Sequence, residues 1–107
     1  MNEASPLHSL VHEVGEVNVR FAKLPEYMQE YARAQGWDSL SLSQQSDEIA
    51  NIEYGMSWAN RAGSADVIEE EIRSEKYDKL RFNQFKGGLD LEKAKAAAVA
   101  YLEHASK

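Results

Sequence analysis

Apolar residues recur along this chain at alternating steps of three and four, the spacing that aligns side chains on one face of an α-helix. Leu7, Leu10, Val14, Val17, Phe21 and Leu24 form the first such stripe. It opens on Ser5-Pro6, a capping residue followed by proline in the first helical turn, where the missing N–H removes no bond. Pro25 interrupts the stripe and opens a short second helix over Glu26 to Gln35, with Met28 and Tyr31 inward and Gly36 as its stop. The serine-rich stretch from Trp37 to Gln45 reads as a loop from which Leu40 and Leu42 dock on the core. A third helix follows from about Ser46 to Ala62, striped by Ile49, Ile52, Met56 and Ala59 and ended by Gly63. Ser64 caps a fourth that passes Ile68 and Ile72 toward Tyr77 and Leu80 and fades near Phe85. Gly87-Gly88 reads as a hinge, and Asp90 caps a last, alanine-rich helix to about His104. No alternating strand pattern of useful length occurs, so the expected class is all-α with four to five helices.

Composition narrows the function classes. The 107 residues fit one all-α domain over 1–107. Apolar runs of only a few residues exclude a membrane span. The absence of cysteine excludes disulfides, thiolate metal sites and cysteine nucleophiles. Twelve Lys and Arg against eighteen Asp and Glu leave a net charge of -6, which argues against general nucleic-acid binding. The start, MNEASPL, has no basic segment leading into an apolar one, so a cytoplasmic setting is expected.

Two acidic pairs stand beside the apolar stripes. Glu13 and Glu16 are three apart in the first helix, and Glu48 and Asn51 are three apart in the third. Such spacing puts each pair on one flank of its helix. Two antiparallel helices carrying oxygen ligands at the edges of their buried faces can converge on one hard cation, and Mg²⁺ needs only a few such groups. A solvated helix flank has the same spacing. Gly15 and Gly55 sit inside helical patterns, where each allows close backbone approach or is simply tolerated at about 1 kcal/mol relative to alanine. Asp47, Asn51, Tyr54 and Trp58 share another face, suited to helix contact or to stacking a base. His8 and His12 make one i, i+4 pair, too few ligands for zinc, and His104 stands apart. Glu69-Glu70-Glu71 reads as helix surface, and Gly87-Gly88 lacks the Lys-Ser/Thr of a phosphate loop.

Residues 6–18, PLHSLVHEVGEVN, resemble the first metal-binding helix of the MazG-like nucleotide pyrophosphohydrolases, in particular the dCTP pyrophosphatase branch. Gln35-Gly36-Trp37 is similar to a loop signature of that branch, and Asp47-Glu48-Ile49-Ala50-Asn51-Ile52 resembles its second metal helix. Glu75 to Phe82, EKYDKLRF, is similar to the family's closing pattern. The four segments occur in family order across about residues 6–85, and residues 88–107 add a C-terminal helix.

The resemblance implies a MazG-like helical bundle in which an ExxE and an ExxD motif face Mg²⁺, with Mn²⁺ as a substitute. It implies cleavage of a (deoxy)nucleoside triphosphate, with a pyrimidine base expected, to monophosphate and pyrophosphate. Carried over by position, Glu13, Glu16 and Glu48 are the catalytic acids, and with Asn51 they form the metal set. Lys76, Lys79 and Arg81 face the phosphates, and Trp58 is assigned to the substrate. Asn51 stands where the motif has Asp, and Tyr77 where the closing pattern has Asn. These departures support an alternative of another class: a non-catalytic MazG-like protein, an acidic helical module that binds or inhibits a protein partner. On either reading a homodimer or homotetramer is expected, because the first apolar stripe lacks the family's preceding helix and would be covered by another subunit.

Overall fold

The computed structural model describes residues 6–77, 82 and 89–105, with the side chains of the first helix described from Val14 onward. Among these the protein is all-α, and no strand occurs. The elements are α1 (Pro6–Ala22), α2 (Glu26–Ala34), a 3₁₀ turn (Trp37–Ser39), α3 (Leu42–Ala62), α4 (Ala65–Arg73) and α5 (Leu91–Ala105). Contacts divide the chain into two compact units, Met1–Ile49 and Ala50–Lys107, with α3 running through the division.

In the first unit α1 ends three residues before Pro25, which becomes the residue preceding α2 and accepts the N–H groups of Met28 and Gln29. Gln29 returns a side-chain bond to the Leu24 carbonyl at 3.0 Å, closing the turn between the two helices. Gly36 ends this segment with φ 93°, a left-handed conformation that only glycine adopts without strain. Val17, Phe21, Leu24, Met28, Ala32, Trp37 and Ile49 are its buried apolar residues. Trp37 stacks on Phe21 at 4.6 Å between ring centroids, and the Arg33 guanidinium lies over the same Phe21 ring at 5.1 Å.

Helix α3 starts four residues earlier than the periodicity suggests. Ser41 and Gln44 form a capping box: the Gln44 N–H donates to Ser41 Oγ at 3.2 Å, and the Ser41 N–H donates to Gln44 Oε1 at 2.9 Å. Gln45, one position on, donates from Nε2 to the Trp37 carbonyl at 2.9 Å and ties the new helix to the 3₁₀ turn.

In the second unit α4 is capped by Ser64 as expected, with Ser64 Oγ accepting from the Val67 N–H. It ends at Arg73, well short of the expected continuation past Tyr77. The Lys76 N–H bonds the Glu71 carbonyl and the Glu75 N–H bonds the Ile72 carbonyl, a Schellman closure with Glu75 at φ 58°. Leu80 and Phe85, expected further along this helix, and the Gly87-Gly88 hinge lie outside the described residues. Asp90 caps α5, its carboxylate accepting from the Lys93 N–H at 3.1 Å.

Helices α3 and α5 meet at backbone distance. A methyl group built at Gly55 would stand 2.6 Å from the Ala94 carbonyl and 2.9 Å from Ala97 Cβ. The alanine stripe of α5, Ala94, Ala97 and Ala98, is completely buried there. Tyr101 of α5 donates to Asn60 of α3 at 3.2 Å, and Lys95 pairs with Glu69 of α4. That hydrogen-bonded pair holds the Glu69 carboxyl below its ordinary range and raises Lys95. Being exposed, it is a minor tie.

The two helix glycines therefore differ. At Gly15 no atom lies within 4 Å of an added methyl group. We expect Gly15→Ala to stabilise the protein by about 0.5–1 kcal/mol through helix propensity. Gly55→Ala should destabilise it by roughly 1–3 kcal/mol, because overpacking against the α5 backbone outweighs the propensity gain. Denaturant unfolding of both variants checks the opposite signs.

Candidate functional site

The first unit carries a cleft of about 480 Å³ between α1 and the start of α3. Its lining comprises Glu16, Val17 and Arg20 from α1 and Leu42, Ser43, Ser46 and Asp47 from α3. The early start of α3 builds this wall, since Leu42 and Ser43 would belong to a loop if the helix began at Ser46. Carboxylates from two helices thus face one cleft. The pair is Glu16 with Asp47, where the motif resemblance selects Glu16 with Glu48.

Helix geometry explains the change of partner. Consecutive helical residues point about 100° apart, so Asp47 and Glu48 cannot share one direction. Glu48 instead bears on α2, where its charge adds to burial in raising the Tyr31 phenol above the ordinary tyrosine range, burial being the larger cause. Glu16 is also in ion-pair range of Arg20, with Oε1 4.0 Å from Nη1. Glu13 precedes Glu16 by three positions in α1, but its side chain lies outside the described residues. The same holds for His8 and His12.

Asn51 belongs to the second unit and is the one buried polar residue there among those described, at 1% exposure. Its Oδ1 accepts the Asp90 N–H at 2.8 Å, just before α5 begins. An amide suits this position because it accepts a backbone hydrogen bond without bringing a charge into the interior. The side chain expected to complete a metal set is thus engaged in holding the start of α5.

Trp58 also has a structural role. It is 1% exposed, grouped with Ala59, Ile68 and Ala98 in the core cluster of the second unit. Tyr54 meets it edge-on at 5.9 Å and Phe82 lies at 6.4 Å. Its indole N–H donates to Glu71 Oε1 at 2.9 Å. No open ring face is left for a nucleotide base, so the substrate role expected for Trp58 gives way to helix contact. Glu71 accordingly leaves the surface run in which its sequence neighbours place it, while Glu70 pairs with Arg73 on the same helix.

Lys76 is exposed in the turn that closes α4, and Lys79 and Arg81 lie outside the described residues. His104 is exposed near the end of α5. No group of three or more His, Cys, Asp or Glu side chains close enough to share an ion occurs among the described residues. No described helix is long and apolar enough to cross a membrane. Sequence reasoning gave no site role to Arg20, Ser43 or Ser46, and it placed Asp47 in the second metal-helix segment and on the Trp58 face without making it a ligand; the Ser41-Gln44 capping box was the signal that could have brought the α3 residues forward.

No family model matches this chain, and no curated protein or solved structure is significantly similar to it.

The position of Glu48 gives a direct expectation. Glu48→Gln should lower the Tyr31 pKa part of the way toward the ordinary value, leaving the shift caused by burial, as read from phenolate absorbance with Tyr31→Phe as the reference. A raised phenol pKa favours the folded state below the unfolded-state value, and that contribution disappears as pH rises through the folded value. Tyr31→Phe should therefore flatten the alkaline fall in stability.

Proposed function

We propose that this protein is a MazG-like, Mg²⁺-dependent nucleoside triphosphate pyrophosphohydrolase whose cation site is the α1–α3 cleft. The observation that carries the reading is the presence of Glu16 and Asp47, from two helices, on one cleft wall set. Mg²⁺ is commonly held by one or two carboxylates together with substrate phosphates and retained waters, so this donor set fits it without a third acid. Mn²⁺ takes the same hard oxygen donors. A volume of about 480 Å³ lies within the roughly 300–1,000 Å³ usual for ligand clefts.

When bound, the cation offsets polyphosphate charge and acidifies a coordinated water. Glu16 and Asp47 would hold it, and Ser43 and Ser46 would offer hydroxyl donors to phosphate oxygens. The motif resemblance implies Glu13 as a further acid of this set, while the role it implies for Glu48 passes to Asp47; a carboxylate not engaged with the cation would orient the water. Water adds at phosphorus, the bond between the α-phosphorus and the bridging oxygen breaks, and monophosphate and pyrophosphate leave. The motif resemblance implies Lys76, Lys79 and Arg81 as cations that neutralise phosphate charge. The same reading makes the protein a cytoplasmic homodimer or homotetramer; Val14, on the first apolar stripe, is 39% exposed.

One observation favours a second reading. Asn51 is engaged with Asp90, and a non-catalytic module of the same ancestry, binding a protein partner through its acidic helices, needs no fourth ligand there. Pyrophosphate release from a panel of nucleoside triphosphates with Mg²⁺ or Mn²⁺ separates the two. The hydrolase reading expects turnover in the wild type and at least about a hundredfold loss in Glu16→Gln and in Asp47→Asn, the scale for removing a group that stabilises transition-state charge. No turnover on any substrate would overturn it in favour of the binding module. Asn51→Asp should not raise activity, because the side chain serves α5 rather than the cleft.

A further inference from the structure

We draw no further inference here: the strongest candidate, the exposed, uncharged face of α1 formed by Val14, Gly15, Asn18, Val19 and Ala22, is an unpartnered helix face, and nothing in the structure shows what covers it.

Discussion

Burial of α3 on two adjoining stripes governs the arrangement of the residues around it. Ile49, Ile52 and Ala59 follow one line along the helix, and Asn51, Gly55 and Trp58 follow another, so about half its circumference is withdrawn from water. A helix buried this broadly cannot turn without exposing one line or the other. Its rotation is therefore fixed, and with it the direction of every remaining side chain. Within the first unit, Ser43, Ser46 and Asp47 line the cleft, and Glu48 acts on Tyr31.

The small residues belong to the same constraint. Gly55 allows α5 to approach until an added methyl group would collide with the Ala94 carbonyl, and a larger residue on either helix would force the pair apart. At that separation the start of α5 lies within hydrogen-bonding distance of Asn51, and Lys95 reaches Glu69. Trp58 then fills the space toward α4, where Glu71 satisfies its indole N–H. Asn51 and the Trp58 indole are buried polar groups that would be costly to leave without a partner. The apolar contacts set where those partners stand.

Much of the fold was legible because the signals that start and stop these helices are local. Pro25, Gly36, Gly63, Ser64 and Asp90 act on their own backbone, and each fell where the residues suggested. The start of α3 was missed although Ser41-x-x-Gln44 spells a capping box, because serines and glutamines dilute the apolar period over Trp37 to Gln45. The end of α4 left no such trace. Its left-handed residue is Glu75, not glycine, and the bonds that stabilise it run from the Glu75 and Lys76 N–H groups to Ile72 and Glu71. The site was less legible than the fold. Spacing placed Glu48 and Asn51 on one flank, but the choice between Asp47 and Glu48 depends on helix rotation, and the role of Asn51 depends on a residue thirty-nine positions away.

Asn51 joins the motif resemblance to the fold through one chemical difference. An aspartate buried at this position would retain the acceptor for the Asp90 N–H but would bring a negative charge into a site at 1% exposure. Burying such a charge disfavours either the folded state or the charged form. The amide removes that conflict, so the start of α5 can close over α3 and the Gly55 contact can form beneath it. Asn is therefore the form of this position compatible with a C-terminal helix packed against α3. Glu16 and Asp47, both lining the α1–α3 cleft, belong to the other unit and are not part of this arrangement.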